Sequence, residues 1–392
     1  MLSRSPPPPV PSSAFRPDWD IFCKVIDNFG DIGVCWRLAR QLAGERQLRV
    51  RLWVDDLETF RVLCPQVDPT LSIQAVQAIE VRRWETSLVT PAPARVVLET
   101  FACRIPETFV EAMAGQSPAP LWINLDHLSA EAWVPGFHML PSPHPRLPLA
   151  KYFFFPGFGS ATGGLLRERD LLLRRQQFLG SGELQAAFWR RAGCAPPAAH
   201  NLLLSLFAYQ HAPIGELLQR CEHAATPVCC LAPLSGTLTA LESYAGRALG
   251  AGNVVRRGTL EIRVLPFLEQ DLYDRLLWLC DVNFVRGEDS FVRAQWAARP
   301  MVWQIYPQQE AAHFAKLDAF LDIHCAGLPA TSAAAVRGLW HAWNSGRVDA
   351  GPWQRFASQL PALREHALRW QEKLARQADL STRLLRFVRS KL

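Results

Sequence analysis

Short apolar runs, each followed by a segment of helical pattern, recur along this chain and limit the folds it can adopt. In the first half, runs rich in β-branched and aromatic residues occupy 19–26, 49–54, 95–100 and 121–126. A second series occupies 201–209, 227–234, 262–267, 281–287 and 301–307. Runs that are apolar throughout are typical of parallel strands covered by helices on both faces. The sequence therefore predicts two α/β units in tandem.

The length of 392 residues agrees with two domains, because single hydrophobic cores rarely grow beyond ~300 residues. Segment 140–170 mixes proline, glycine and aromatic residues, which predicts a connection ordered by packing more than by regular hydrogen bonding. We place the boundary near residue 198, with Rossmann-like domains at 18–198 and 199–369. From Trp353 onward apolar residues recur at three- and four-residue steps, so we expect the chain to end in helices.

Composition and charge exclude several classes of protein. Residues 1–17 are rich in proline and lack the apolar segment of a signal peptide, so we expect a disordered tail. The apolar runs are much shorter than the ~20 residues of a membrane span. Ten cysteines include no CxxC pair, which favours the reducing cytoplasm. The net charge of +6 comes without a lysine or arginine block, so we expect no nucleic-acid partner.

The segment "DNFGDIG", residues 27–33, follows the first predicted strand and opens a helical pattern. Ligands of open parallel sheets bind at such strand ends, where Gly30 and Gly33 would allow a close backbone approach. A nicotinamide-binding fingerprint needs G-x-G-x-x-G, which is absent here. Asp31 could be a helix N-cap. The presence of Asp27 in the same turn favours a functional pair instead.

The segment "VRGEDSFVRAQWA", residues 285–297, again follows a strand and opens a helix. Ser290 and neighbouring amides could hold a diphosphate, with Arg286 or Arg293 balancing its charge. Glu288 or Asp289 could accept hydrogen bonds from sugar hydroxyls or could simply cap the helix. Since no acidic cluster of the DxD kind stands out, we expect no metal cofactor.

Aromatic residues near other strand ends form a third candidate group: Phe207, Tyr209 and Phe267. Each could stack on a nucleobase, because every base has a π-face. Core packing is the commoner role of any single aromatic residue.

Four segments carry a close resemblance to the EarP family, the bacterial protein-arginine rhamnosyltransferases: residues 23–42, 95–103, 265–277 and 286–297. The resemblance runs from about Trp19 to the C-terminus. Segment 124–133 is similar to a family segment that more usually carries a glutamate and a tyrosine where this chain has Asp126 and His127. We leave those two residues out of the predicted site.

The resemblance implies a GT-B glycosyltransferase fold: two facing Rossmann-like domains with a C-terminal helix, about 370–392, crossing back to the first. It implies acceptor binding by the first domain and donor binding by the second. The implied reaction moves rhamnose from dTDP-β-L-rhamnose to one arginine of translation elongation factor P, inverting the anomeric centre. Rival interpretations are a GT-B enzyme with another nucleotide sugar or acceptor, and a non-catalytic binding protein of the translation machinery.

The resemblance also implies roles for the candidate residues. We assign Asp31 as the base and Asp27 as the group that orients the guanidinium, and the reverse assignment stays open. Glu288 is implied to be an essential donor-side residue. The implied donor-binding set is Phe207, Tyr209, Phe267, Arg286, Gly287, Asp289 and Ser290. The implied backbone loop of the acceptor side is Asn28, Phe29, Gly30 and Gly33.

Overall fold

The computed structural model describes residues 16–27, 29–84, 91–307 and 312–392. They divide into two compact units. Unit 1 comprises the described residues up to Arg169 together with Ala378–Leu392, and unit 2 is Asp170–Gln377. The division falls before residue 170, whereas the sequence suggested a boundary near 198. Most of the predicted N-terminal tail, residues 1–15, lies outside the described residues.

In chain order, the described strands are β1 (Trp19–Cys23), β2 (Val50–Val54), β3 (Ile73–Val76), β4 (Ile79–Arg83), β5 (Val96–Thr100), β6 (Leu121–Leu125), β7 (Pro141–Pro143), β8 (Ala150–Phe154), β9 (Leu202–Leu206), β10 (Val228–Pro233), β11 (Val254–Arg257), β12 (Leu260–Leu265), β13 (Val282–Arg286) and β14 (Met301–Gln304). The described helices are α1 (Phe29–Arg46), α2 (Leu57–Leu63), α3 (Glu107–Ala114), α4 (Val134–Phe137), α5 (Leu171–Gly180), α6 (Gly182–Arg191), α7 (Ile214–Glu222), α8 (Leu238–Ala245), α9 (Gln270–Leu279), α10 (Asp289–Ala297), α11 (His313–Cys325), α12 (Ala330–Asn344), α13 (Ala350–Ser358), α14 (Leu360–Ala375) and α15 (Leu380–Lys391).

The sheet of unit 1 has the strand order β3-β4-β2-β1-β5-β6-β8-β7. Strand β1 lies inside it and pairs in parallel with both β2 and β5. Strands β1, β2, β5 and β6 are buried along their whole length, which explains why they contain few polar residues. Between β1 and β2 a buried ion pair joins Asp20 to Arg51, at 2.5 and 2.8 Å.

The sheet of unit 2 has the order β11-β12-β10-β9-β13-β14. Strand β9 pairs in parallel with β10 and β13. Helix α10 packs on the sheet through Phe291, whose ring stacks on Trp303 of β14 with centroids 3.9 Å apart. A buried ion pair between Arg293 and Asp274 joins α10 to α9, at 2.9 and 2.6 Å.

The C-terminal helix α15 belongs to unit 1, as the predicted return of the chain requires. Asp379 caps its first turn by accepting the amide of Thr382 at 3.1 Å. Arg46, at the end of α1, donates to the Thr382 hydroxyl at 2.6 Å, and the ring of Phe387 lies 5.4 Å from Tyr152 of β8. The return begins at Ala378, later than the predicted residue 370, because α14 still packs within unit 2.

All the apolar runs that predicted strands form strands, and the helical pattern predicted from Trp353 onward is confirmed. The interpretation of 140–170 as irregular was wrong in part, since β7 and β8 lie within it. Strand β8 continues the parallel sheet beside β6, and β7 pairs antiparallel with β8. Among the described residues, no helix combines the length and the apolar character needed to cross a membrane.

Candidate functional site

The strand order of unit 1 places one candidate site at the carboxyl ends of β1 and β5. From β1 the order runs outward through β2 on one side, and from β5 it runs outward through β6 on the other. Loops at such a reversal diverge and leave a crevice, which is where open parallel sheets bind ligands. The loop after β1 carries Asp27, and α1 then begins with Phe29 and brings in Asp31.

Asp31 is 6% exposed. Its Oδ2 atom accepts hydrogen bonds from two backbone amides that precede α1, those of Ile26 at 2.8 Å and Asp27 at 2.9 Å. Asp31 therefore reaches back from the third residue of the helix, in the manner of the acidic member of a capping box. The predicted alternative, an N-cap at Asp31 itself, is wrong, since two helical residues come before it.

Gly30 brings the second aspartate close to the first. A Cβ atom built on Gly30 would lie 2.7 Å from Oδ2 of Asp27, so only glycine lets the Asp27 carboxylate pack against the helix. The carbonyl of Asp27 accepts the Gly30 amide at 2.6 Å. The interpretation of Phe29, Gly30 and Gly33 as loop residues was wrong, because this compact turn lets α1 begin at Phe29. Asn28 lies outside the described residues.

The loop after β5 forms the other side of this crevice. Phe101, Ala102 and Arg104 all have left-handed backbones, with φ of 54°, 52° and 55°. Such conformations are rare for residues with a side chain and are concentrated at functional sites. The Arg104 amide donates to Oε1 of the buried Glu99 at 3.0 Å, and this contact helps to hold the strained loop.

The two residues that the prediction left out, Asp126 and His127, lie at the same edge of the sheet. The ring of His127 stacks on Phe101, with centroids 4.4 Å apart and an interplanar angle of 12°. Asn124 of β6 donates to Oδ2 of Asp126 at 3.1 Å. A cavity of about 470 Å³ opens nearby, with Lys24 and Arg104 among its lining residues.

Unit 2 has a second reversal of strand order, between β9 and β13. The loop after β9 carries Phe207 and Tyr209, and β13 ends at Arg286. The guanidinium of Arg286 lies 4.5 Å from the centroid of each of the two rings. The structure thus brings three predicted donor-binding residues into one cation–π cluster, which holds a positive charge at the carboxyl edge of the sheet.

Only one of the two candidate arginines in this segment lies at the sheet edge. Arg293 is 2% exposed and holds both oxygens of Asp274 through its own guanidinium. It therefore stabilises the contact between α9 and α10. Of the alternatives that the sequence left open, Arg286 is the one suited to balance a ligand's charge.

The residues after Arg286 form a tight turn into α10. Gly287 has φ of 61°, in the region that favours glycine. The hydroxyl of Ser290 accepts the Arg286 amide at 3.1 Å and donates to the Arg286 carbonyl. Glu288 occupies the N-cap position, but within the described part of the chain its side chain makes no capping hydrogen bond. The alternative prediction, that the Glu288 side chain caps the helix, is therefore wrong.

The remaining predicted residues lie close by in the chain. Asp289 accepts a hydrogen bond from Gln270 at 3.2 Å, which ties the start of α10 to the start of α9. Phe267 is half-buried and lies two residues after the end of β12. Phe207 also packs edge to face on Tyr273 of α9, with centroids 5.5 Å apart.

Sequence reasoning missed several residues at this edge of unit 2. Gln304 accepts the Tyr209 amide, and the ring of His211 stacks on Tyr209 at 5.6 Å. Tyr306 is 45% exposed, and its ring meets Tyr209 edge-on at 5.7 Å. The only available signal was their position, since Gln304 and Tyr306 close the strand run 301–307 and His211 follows the run 201–209.

Among the described residues, the cysteines and acidic side chains form no further reactive centre. Burial raises the pKa of the thiols of Cys23, Cys103 and Cys230, which keeps them protonated at neutral pH. All ten cysteines are described, and none of them forms a disulfide. Within the described ranges, no group of three or more histidine, cysteine, aspartate or glutamate side chains is arranged to hold a metal ion.

The chain has two Rossmann-like units, and each has charged and aromatic residues at its own reversal of strand order. Its last helix belongs to the first unit. These features define the GT-B architecture of glycosyltransferases. Solved structures of that architecture agree: MurG of Acinetobacter baumannii has a TM-score of 0.50 at 11% identity, and the two chains are covered to 95% and 100%. Residues 19–389 match the family described as "Elongation-Factor P (EF-P) rhamnosyltransferase EarP". This chain belongs to that family.

Individual relatives support the assignment. The chain is 49% identical to a protein-arginine rhamnosyltransferase of Pseudomonas putida over 376 residues, which is 95% of this chain and 99% of the relative. It is 47% identical to the protein of the same name in Pseudomonas aeruginosa, with 94% and 98% covered. A solved structure described as "Structural basis for EarP-mediated arginine glycosylation of translation elongation factor EF-P" matches with a TM-score of 0.69 at 37% identity, covering 95% and 99%.

Proposed function

We propose that this protein is an inverting glycosyltransferase that moves L-rhamnose from dTDP-β-L-rhamnose to an arginine side chain of translation elongation factor P. The membership of the family and the names of its relatives support the reaction class. The observation that carries the proposal is the pair Asp27 and Asp31, fixed together at the carboxyl end of β1. Paired acids at a crevice are suited to a cationic acceptor such as a guanidinium.

The acceptor requires this pair because a guanidinium is a poor nucleophile. Its pKa is above ~12, and its lone pairs are delocalised over the whole plane. One carboxylate orients the group, and the other takes a proton as the nitrogen attacks the anomeric carbon. The bond from that carbon to the diphosphate oxygen breaks as the C–N bond forms, so a single displacement inverts the centre and dTDP leaves.

We assign the proton transfer to Asp31 and the orienting role to Asp27. Two backbone amides fix the Asp31 carboxylate in one orientation, and a base that is already positioned loses little freedom in the transition state. Asp27 is more exposed and packs on Gly30, as suits a group that first meets the acceptor.

We assign binding of the sugar donor to the carboxyl edge of the sheet in unit 2. The cluster of Phe207, Tyr209 and Arg286 offers aromatic faces for a thymine base and a positive charge for a diphosphate. The other predicted donor-binding residues lie at the same edge: Phe267, Gly287, Asp289 and Ser290. Glu288, at the N-cap position of α10, would accept hydrogen bonds from the sugar hydroxyls.

We further propose that the reaction needs no metal ion and takes place in the cytoplasm. The start of a helix such as α10 carries a partial positive charge, and together with Arg286 it would stabilise the departing diphosphate. Full activity after exhaustive dialysis against a chelator would support this. Loss of turnover that magnesium restores would contradict it.

The test of the reaction incubates the purified protein with dTDP-β-L-rhamnose and elongation factor P, and follows the intact mass of the acceptor. The proposal predicts a mass increase of one deoxyhexose on one arginine. A gain with another sugar nucleotide, or on another protein only, would identify a different GT-B enzyme. Binding of the factor without any mass change would identify a non-catalytic partner of translation.

The acceptor is expected to bind as a folded domain, because one guanidinium gives no discrimination among the many arginines of a cell. A short linear peptide that contains the arginine should therefore be a much poorer acceptor than the whole factor. Equal kcat/KM values for the two acceptors would contradict this.

A further inference from the structure

Gln304 is the last residue of β14 and is fully buried. Its side-chain oxygen accepts the Tyr209 amide at 2.8 Å, and its side-chain nitrogen lies 3.1 Å from Nε2 of His211. Its main-chain carbonyl accepts the Gly287 amide at 3.2 Å. One residue therefore contacts both loops that meet at the strand reversal of unit 2.

These contacts hold Tyr209, whose ring is one of the two that flank the Arg286 guanidinium. Tyr209 is held through its backbone by Gln304 and through its ring by His211, which stacks on it at an interplanar angle of 8°. Burial lowers the pKa of His211, so the ring is neutral at pH 7 and its Nε2 can accept the amide N–H of Gln304. The indole of the neighbouring Trp303 donates to the Gly287 carbonyl at 2.7 Å.

A buried amide side chain is costly unless its hydrogen bonds are made, and an apolar residue would fill the end of a strand at lower cost. The side chain of Gln304 instead bonds to Tyr209 and His211, which lie in the loop after β9. Gln295 of α10 is equally buried, but its side chain bonds to the Phe291 carbonyl and accepts the Trp370 indole at 2.7 Å. The two glutamines thus have the same burial and different partners.

We propose that Gln304 is a positioning residue for the nucleoside diphosphate of the donor. Its side chain acts through Tyr209 and His211 to keep the Tyr209 ring and Arg286 in the arrangement that the ligand meets. The inference rests on the proposed function, which places the donor at these loops. Gln304 makes no contact with the ligand itself in this proposal.

The test compares Gln304→Met, which keeps a similar volume and removes the side-chain hydrogen bonds, with the matched control Gln295→Met. Calorimetric titration with dTDP and with dTDP-β-L-rhamnose should give Kd values about tenfold higher for Gln304→Met. KM for the protein acceptor should stay within twofold. Gln295→Met should lower the thermal midpoint at least as much and leave both Kd values within twofold of wild type.

A double-variant cycle separates positioning from general stability. If Gln304 acts through Tyr209, adding Gln304→Met to Tyr209→Ala should raise the Kd for dTDP by less than about twofold, because the group to be positioned is already gone. His211→Phe keeps the stacked ring and loses the nitrogen, so it should raise the Kd by a few-fold.

Three outcomes overturn the inference. An unchanged Kd for Gln304→Met, an equal rise for Gln295→Met, or a full tenfold rise on top of Tyr209→Ala would each show that Gln304 serves only the fold. In each of these the wild type still binds dTDP, so the proposed function stands. If the wild type binds neither dTDP nor dTDP-β-L-rhamnose, the donor assignment and this inference are both wrong.

Discussion

The carboxylate of Asp31 has two roles: it holds the conformation of the preceding loop, and it is the proposed catalytic base. Its Oδ2 atom accepts the amides of Ile26 and Asp27, so removing the side chain would release the loop as well as the charge. Truncation to alanine therefore cannot separate the two roles. Asparagine can, because it keeps a carbonyl acceptor of nearly the same size and removes only the negative charge.

Asp31→Asn is expected to keep the fold and the donor affinity and to lose turnover. If Asp31 is the base, kcat should fall at least ~10²-fold, the low end for general-base catalysis. Single-turnover rates and the Kd for dTDP-β-L-rhamnose measure the two effects separately. The matched variant Asp27→Asn should act mainly on KM for the acceptor.

The assignment of the two aspartates is falsified if Asp31→Asn turns over at a near-native rate. A large fall in kcat for Asp27→Asn alone would make Asp27 the base. Circular dichroism and the thermal midpoint check that both variants remain folded.

Glu288 lies in the other unit, so its substitution should have a different kinetic signature. Glu288→Gln keeps the shape and removes the charge, and because α10 does not use this side chain as a cap, helix stability should change little. We expect a weaker Kd for dTDP-β-L-rhamnose and a lower kcat, with the Kd for dTDP nearly unchanged. Equal weakening for both ligands would show that Glu288 contacts the nucleotide and not the sugar.

At the scale of elements, the first turn of α1 depends on one glycine. Alanine is the better helix former by ~1 kcal/mol, so Gly30 needs a reason other than helix formation. The reason is the approach of Asp27 to within 2.7 Å of the place where a Cβ would stand.

Gly30→Ala should therefore displace the Asp27 carboxylate and lower kcat/KM by about 10²-fold, the cost typical of a misplaced catalytic group. Gly44, later in the same helix, is the control, since an added Cβ there meets nothing within 4 Å. Gly44→Ala should keep full activity and gain up to ~1 kcal/mol of stability. Steady-state kinetics and urea unfolding of both variants check the pair, and equal activity of the two would contradict the packing argument.

Most strands inside the sheets were predictable and three of the four edge strands were not, for a common physical reason. Strands such as β1 and β5 are buried on both faces, so their sequences are mostly apolar and stand out. Strands β3, β7 and β11 each lie at the end of a sheet and pair antiparallel with one neighbour. They are short and contain polar residues or prolines, because one edge of each strand meets solvent.

The residues of the candidate site likewise include some that the sequence indicates and some that it does not. Asp27, Asp31, Arg286 and Glu288 stand beside glycines at strand ends, a pattern that can be recognised in a sequence. Gln304 could not be found in this way, because its partners Tyr209 and Gly287 come from other strands and only the sheet order brings them together. Nor does any sequence pattern indicate the left-handed backbone of Phe101, Ala102 and Arg104.

At the scale of the whole molecule, the two units have similar candidate sites whose charges are opposite in sign. Each places its candidate residues where the strand order reverses. Unit 1 presents the carboxylates of Asp27 and Asp31, which suit a cation, and unit 2 presents the guanidinium of Arg286, which suits an anion. A reaction between a guanidinium and a sugar diphosphate needs both kinds of site, and a simple binding protein would need only one.

The stability of the molecule should depend on pH through histidines that are buried without charge. His324 of α11 is packed against Trp340 and Trp370, and its Nδ1 has no hydrogen-bond partner among the described residues. Burial lowers its pKa from 6.5 to about 3, with a smaller contribution from His366. The pKa of His138 in unit 1 is lowered to about 4, again mainly by burial.

A histidine with a lowered pKa in the folded state leaves stability unchanged above about pH 6.5 and reduces it below, because only the unfolded chain then gains the proton. At pH 5, about 1.5 units below the unfolded value, His324 alone should cost about 2 kcal/mol. Urea unfolding at pH 7.5 and pH 5.0 measures this loss, and His324→Phe should reduce it by about that amount. His200 is exposed, so His200→Gln serves as the control and should leave the loss unchanged. An equal loss in wild type and His324→Phe would show that His324 takes its proton in the folded protein as readily as in the unfolded chain.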